Sequence, residues 1–267
     1  MKKIIALLLA LLALIPGRAE ETPLLYMINV GKGDAILLFH ESDVYLVDAG
    51  KSGSWDITEA ALKRMGIAHL KGVFLTHTDK DHAGGMKKLA KSDIKVDAWY
   101  ASAYYNCEPQ KHPLVKALEK RGCDITFLKA GDRVDGVFDV LGPVYPDTCD
   151  EDDNSLVMRF TSAGVTVLLC GDMENGEERD LLGEDLTCDI FKVPNHADND
   201  VLALIDPADL HASVALISTD PEDKPGTPDG LVMWRLEQAG MQIWSTHETE
   251  LGIRVSVKDG EIRVTPE

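Results

Sequence analysis

The stretch "LTHTDKDHAGG", residues 75–85, decides how this chain is read. It follows the apolar run "KGVF" and gathers His77, Asp79, Asp81 and His82 within six positions, closed by Gly84 and Gly85. The end of a strand projects its side chains in alternation, so His77, Asp79 and Asp81 can point the same way while His82 turns the corner. Imidazole and carboxylate donors at this density suit a divalent metal. A solvated polar loop is the ordinary alternative. The buried strand before the loop argues against it, as does the glycine pair behind, which lets a helix start close against the loop.

Two more strand ends converge on the same chemistry. "LLCGD" (168–172) places Asp172 after an apolar strand, and "FKVPNH" (191–196) places His196 after another. Alone, an Asp after a strand is usually a turn residue and a single His is usually structural. Three strand ends carrying Asp or His are far more specific, provided the fold brings those ends to one edge.

The rest of the pattern supplies such a fold. Residues 24–30, 35–40 and 44–50 read as strands, 56–66 as an amphipathic helix ending at Gly66, and 71–77 as the buried strand of the motif. A helix is expected to begin at 83–92, followed by a strand at 96–102, a helix at 112–122 and a strand at 123–131. The second half repeats the style. Residues 154–172 form a hairpin turning at 162–164, 175–183 a helix, 188–196 and 213–219 strands, 229–240 a helix and 241–247 a strand, before a closing hairpin around Asp259 and Gly260. Only 145–153 and 218–229 look like polar loops. Two mixed sheets facing each other with helices outside explain this order: a four-layer α/β/β/α sandwich, taken as one domain over residues 20–267.

The N-terminus stands apart. Lys2 and Lys3 precede an unbroken apolar run from Ile4 to Ile15, and Gly17 and Ala19 have the spacing for cleavage after Ala19. Residues 1–19 therefore read as a signal peptide, with the mature chain exported, beginning at Glu20 and carrying no membrane span. An uncleaved N-terminal anchor is the alternative. The whole chain carries −18; without residues 1–19 it has 24 basic residues against 45 acidic ones, or −21. Such a surface repels phosphate backbones unless its charge is segregated. The basic clusters at 87–91 and 116–121 read as solvated helix faces. None of the five cysteines shows C-x-x-C spacing. Cys170 reads as core, and Cys107 with Cys123 as a candidate bridge.

The order "VGKGDAILL", "VDAG", "LTHTDKDHAGG", "NSLVMRF", "LLCGDMEN" and "FKVPNHAD" resembles the metallo-β-lactamase superfamily. More narrowly, it is similar to the hydrolase domain of ComEC-type competence proteins and their free-standing secreted relatives. The superfamily pattern is H-x-H-x-D-H, and the ComEC-like branch carries the H-x-D-x-D-H found here. The resemblance implies the sandwich fold and two divalent metal ions, zinc or manganese. It makes His77 and Asp79 ligands of one ion, Asp81 and His82 ligands of the second, Asp172 the bridging carboxylate, His196 the histidine of the branch's "HHGS" element, and Asp48 a supporting aspartate. The chain departs from the pattern at Asn195, at Thr227, where relatives often carry His, and at Lys32, where Gln is common. If Asn195 or Thr227 occupies a ligand position, one metal site is weakened. Asn154 either lends its amide oxygen or holds a turn.

Three histidines and three carboxylates form a harder set than the usual one, shifting preference from zinc toward manganese, iron or magnesium. Such a pair supports hydrolysis by a metal-bound hydroxide, with Asp81 the candidate to orient or accept the proton of the water. Phosphodiesters, as nucleic acid or nucleotide, are the expected substrates; a lactone, thioester or small phosphoester stays open. A non-catalytic extracellular binding protein with a decayed second metal site is the competing class. No protein partner is indicated.

Overall fold

The structure is a computed structural model that describes residues 21–104, 111–146 and 150–267. The expected signal peptide, Cys107 and Cys149 lie outside these residues. The chain begins with three antiparallel strands, β1 (Thr22–Ile28), β2 (Ile36–His40) and β3 (Asp43–Val47). Strands β4 (His69–Leu75), β5 (Lys95–Ser102) and β6 (Ile125–Leu128) then add in parallel. Helices make the crossovers: α1 (Trp55–Arg64), two short turns α2 (Lys80–Ala83) and α3 (Met86–Leu89), and α4 (Pro113–Glu119). Helix α1 buries Trp55, Thr58, Ala61 and Leu62 on one face, the three-to-four spacing expected of its pattern.

The second half opens with an antiparallel meander, β7 (Arg133–Val134), β8 (Phe138–Gly142), β9 (Val157–Ser162) and β10 (Val165–Leu169). Parallel strands β11 (Ile190–Lys192), β12 (Val214–Ile217) and β13 (Gln242–Ser245) follow, with α5 (Asn175–Asp180) before β11 and α6 (Gly230–Gln238) before β13. The closing hairpin, β14 (Gly252–Lys258) and β15 (Glu261–Pro266), returns to the first sheet, where β14 pairs with β1. The sheets run β15-β14-β1-β2-β3-β4-β5-β6 and β13-β12-β11-β10-β9-β8-β7. Strands β7 and β8 are additions to the expected pattern.

Period-two alternation builds the layers. Leu25, Met27, Ile36, Leu38, Tyr45 and Phe74 from the first sheet meet Phe138, Val140, Met158, Phe160, Val167 and Leu216 from the second. The Phe138 ring is central, with centroids of Phe74, Tyr45 and Phe160 at 4.6, 5.0 and 4.9 Å. The alternate residues Tyr26, Ile28, Leu37 and Leu46 pack outward on Leu62 and Leu118 of α1 and α4. On the far side, Leu168, Phe191, Ala215 and Ile217 pack with Val232 and Leu236 of α6. This is the α/β/β/α sandwich expected from the sequence. Cys170 is fully buried, as read. Cys123 is buried and unbridged among the described residues, and its candidate partner Cys107 lies outside them.

The arrangement places the site. Asp48, His77, Asp172, His196 and Ser218 lie just beyond the C-terminal ends of β3, β4, β10, β11 and β12. A hydrogen bond from the Leu156 amide to the Thr76 carbonyl, 3.0 Å, ties the sheets together at that edge.

Candidate metal centre

The motif loop is held by backbone contacts that explain its glycines. A Cβ on Gly84 would stand 2.3 Å from the Ser52 nitrogen, and one on Gly85 would stand 2.3 Å from the Ala49 oxygen. The loop therefore packs directly on the segment after β3, with the Ala49 amide donating to the His82 carbonyl at 2.9 Å. The turn between β1 and β2 closes from the other side. Gly33 (φ +142°) has no room for a Cβ, which would meet the Asp81 oxygen at 2.5 Å.

These contacts bring the expected residues together around two points. His82 Nε2 lies 3.1 Å from Asp172 Oδ1 and 3.3 Å from His196 Nε2. His196 Nε2 lies 3.1 Å from Asp172 Oδ2 and 3.6 Å from Asp81 Oδ2. His77 Nε2 lies 4.0 Å from Asp172 Oδ2 and 3.4 Å from Asp152 Oδ1. Donors around an ion at about 2.1 Å stand roughly 3.4 Å apart in a tetrahedron, so these separations fit the group that the sequence implies. The buried His77 Nε2 has no hydrogen-bond partner among the described residues, which is the chemistry of a donor aimed at an ion. Donor atoms of His77, His82 and Asp172 fall within 4.8 Å of one another, as do those of Asp81, His82 and His196, and of His77, Asp79 and Asp152. Asp79 is the exposed member.

Hydrogen bonds fix the rings. Asp48 Oδ2 lies 2.8 Å from His82 Nδ1, and Asp48 also accepts from the amide and hydroxyl of Thr76 at 2.9 and 2.6 Å. The Ser218 carbonyl lies 2.6 Å from His196 Nδ1. Thr76 Oγ1 and Ser155 Oγ lie 3.1 and 3.3 Å from His77 Nδ1, and Ser155 Oγ accepts from the Asp172 amide. In each case Nδ1 is engaged and Nε2 faces the centre, the orientation that outer partners impose on ligating histidines. His196 pays in backbone strain: Asn195, His196 and Ala197 have φ of 38°, 55° and 60° in succession.

Charge is balanced within the protein groups. Burial and the neighbouring His82 push His77 down to about 4, leaving a neutral ring. Burial raises Asp81, but His82 and Lys32 outweigh it and hold the carboxyl at about 2. Burial likewise opposes the ionisation of Asp172, yet His196 and His82 keep it well below the carboxylate range. Beneath lies a fully buried pair, Lys192 Nζ to Asp34 Oδ2 at 2.5 Å, with Lys192 also donating to the Gly171 carbonyl at 3.1 Å. Asp34, Asp48 and His82 also form a close triad, but Lys192 neutralises Asp34 and Asp48 holds His82, so that triad is an orienting network.

Three contributors escaped the sequence reading. Asp152 lies in the acidic run 150–153, taken there as loop. Asp34 belongs to the quoted "VGKGD" but received no role. Lys192 was legible as a lone charge between Phe191 and Val193 of an apolar strand. The departures from the branch pattern fall elsewhere. Asn195 turns its amide to Glu174 Oε1, 2.7 Å away, and Thr227 bonds Thr219 and the Lys224 carbonyl. Asn154 donates to the Asp150 carbonyl at 2.9 Å and so holds the turn before β9. Lys32 does meet the centre, donating to Asp81 Oδ2 at 2.5 Å.

Comparison with known proteins gives the family. The model described as the metallo-beta-lactamase superfamily matches residues 28–218. ComE operon protein 3 of Bacillus subtilis is 25% identical over 245 residues, covering 83% of this chain and 31% of that protein. Competence protein ComA of Neisseria gonorrhoeae is 23% identical over 175 residues, covering 64% of this chain and 23% of that one. The chain thus spans under a third of the length of these relatives. Among solved structures, the metallo-beta-lactamase fold protein YhfI of Bacillus subtilis superposes with a TM-score of 0.53 at 14% identity, covering 92% of this chain and all of that one. CmlA beta-hydroxylase gives 0.58 at 13% identity, covering 93% of this chain and 55% of that one. These likenesses show the fold.

Proposed function

This chain belongs to the metallo-β-lactamase superfamily, and from that membership we propose that it is an exported, binuclear metal-dependent hydrolase of phosphodiesters. The observation that carries the reading is the convergence of His77, His82, His196, Asp81 and Asp172 at one sheet edge, with His77 Nε2 buried and unpartnered among the described residues. His77 and Asp172, joined by Asp79 and Asp152, would hold one ion; Asp81, His82 and His196 would hold the other, with Asp172 between them. Such ions supply Lewis acidity and bring the ionisation of water toward neutral pH. Asp81 stays ionised and can orient the attacking water or take its proton, provided it keeps its place beside His196. Asp48 and the Ser218 carbonyl hold the imidazoles so that proton movement does not reorient them.

The competence relatives direct the substrate toward nucleic acid. The charge of −18 directs it away from long strands and toward short phosphodiesters. Export rests on the N-terminal sequence; no helix among the described residues is long and apolar enough to cross a membrane. The test is metal analysis of purified protein with hydrolysis of bis(p-nitrophenyl) phosphate and short oligonucleotides under manganese and zinc. Two ions per chain, lost together with activity in Asp172→Asn at unchanged circular dichroism, are expected. Full metal content in that variant would remove Asp172 from the ligands and overturn the reading.

A further inference from the structure

We propose that Lys32 binds the anionic oxygen of the substrate, so that the site selects small negatively charged esters over neutral ones. The inference rests on the hydrolase reading and assigns a role to a residue at which the chain departs from its branch. Lys32 lies in the tight turn between β1 and β2. Gly33, with no room for a side chain, and the Asp34 amide, which donates to the Asp81 carbonyl at 3.2 Å, seat that turn on the motif loop. The stem is therefore anchored, and the ammonium reaches Asp81 Oδ2 at 2.5 Å with 19% of the side chain exposed.

The partner distinguishes this lysine from its neighbours. Lys51 pairs with Asp223 and Lys224 with Asp198, neither in the proposed ligand set; Lys192 pairs with Asp34 and stands 3.9 Å from Asp172 Oδ1, but its side chain is 1% exposed and out of a substrate's reach. Lys32 pairs with a carboxylate that an ion would engage, the oxygen 3.6 Å from His196 Nε2. When Asp81 serves an ion, its hold on the ammonium weakens, because the same negative charge is shared between two cations. The ammonium then lies one hydrogen bond from the ligand set, where a substrate oxygen drawn to the same corner meets a charged donor. The surroundings restrict what can arrive. Asp79, Glu174, Asp198 and Asp200 stand close to the ligand loops, so a long polyanion is repelled while one local negative charge is met. A short phosphodiester fits this balance.

The test uses the metal-loaded full chain, its Lys32→Gln variant and Lys32→Arg as rescue. Inorganic phosphate binding is measured by calorimetry alongside metal content. The ratio of kcat/KM for bis(p-nitrophenyl) phosphate to that for neutral p-nitrophenyl acetate gives the selectivity. In Lys32→Gln, phosphate affinity and this ratio should each fall at least about tenfold, through KM more than kcat, at unchanged metal content; Lys32→Arg should recover most of both. Unchanged phosphate affinity overturns the proposal. So does loss of an ion in Lys32→Gln, since Lys32 would then act on Asp81 alone. If the native protein cleaves neither ester, the hydrolase reading fails, and phosphate binding alone judges Lys32.

Discussion

Replacing Lys192 by methionine tests the least expected feature of the centre. Its side chain is 1% exposed, its ammonium meets Asp34 at 2.5 Å and Asp172 at 3.9 Å, and Asp34 is 2% exposed with the Ser218 hydroxyl and, at 3.9 Å, His82 Nδ1 as further partners. Methionine fills the space of the lysine stem, so little of the loss comes from a cavity. The dominant effect is an aspartate left buried without its counter-charge, which costs about 3–5 kcal/mol. Domain stabilities run to about 5–15 kcal/mol, so the variant should fold but weakly. With a urea dependence of roughly 3 kcal/mol per M, the midpoint should fall by about 1–1.7 M. The assay is urea unfolding followed by tryptophan fluorescence in the presence of chelator, which removes any metal contribution from the comparison. Adding Asp34→Asn removes the orphaned charge and keeps an acceptor for Ser218, so the double variant should regain at least half of the loss. A midpoint shift under about 0.3 M for Lys192→Met, or additive losses in the double variant, would refute the argument, because independent sites add and a broken pair does not.

Three other outcomes follow from the geometry. Asp48→Ala frees the His82 ring and should weaken metal binding about 10–100-fold by competition with a chelating dye, with the fold retained by circular dichroism. Glu177 is 2% exposed with both carboxyl oxygens lacking a hydrogen-bond partner among the described residues, and burial, followed by Asp153 and Asp180, raises its pKa well above 4.5. The native protein then keeps a proton that the unfolded chain releases, so this contribution to stability is complete below 4.5 and is lost as pH rises toward the folded value. Glu177→Gln should therefore flatten the stability profile between pH 5 and 8 by up to about 1.4 kcal/mol per pH unit, read from urea midpoints; an unchanged slope would assign the proton elsewhere. Asp79→His should shift metal-reconstituted activity from manganese toward zinc, because imidazole is the softer donor. Identical metal preference would place Asp79 outside the ligands.

What the sequence disclosed, and what it concealed, follows physical lines. The convergence of His77, Asp79, Asp81 and His82 with Asp172 and His196 was legible, because such donors rarely crowd a strand end and because Asp172 and His196 each close an apolar strand. The sandwich was legible in the period-two runs that bury Leu25 and Met27 on one face and Tyr26 and Ile28 on the other. Strands β7 and β8 were not. They are short, and the turn at Asp135 and Gly136 breaks the alternation before it can build a signal. Asp152 sits among acidic neighbours, and no local pattern tells a carboxylate that the fold brings to His77 from a solvated one. The Asp34–Lys192 pair joins separate sheets, and only the fold brings it together. Asn195 shows the converse: its place in the motif suggested a ligand, but a left-handed backbone turns its amide away toward Glu174.

The two residues that the structure adds at the rim act against each other. Under the proposed function, with Asp79, Asp81 and Asp172 as the carboxylates, two divalent ions would leave the centre about one unit positive; Asp152, pushed up to about 8 by burial and by Asp172 and Asp79 in the protein groups alone, would cancel that unit once an ion beside it drew off its proton, and Lys32 would restore it. Burial opposes the charged form of Lys32, but its hydrogen bond to Asp81 and the charge of Asp81, with smaller help from Asp172 and Asp152, outweigh burial and raise its pKa. A positive centre is what brings the ionisation of water toward neutral pH, so the balance sets where activity begins. At saturating metal, Lys32→Gln should move the acid limb of the rate profile up by about one pH unit, and Asp152→Asn should move it down by a similar amount. The double substitution should return it close to the native position, because the net charge is then unchanged. The measurement is kcat against pH on a neutral ester, which separates this effect from the binding of a substrate anion. If both single variants shift the limb in the same direction, or neither shifts it, the two side chains do not compensate and the charge argument fails.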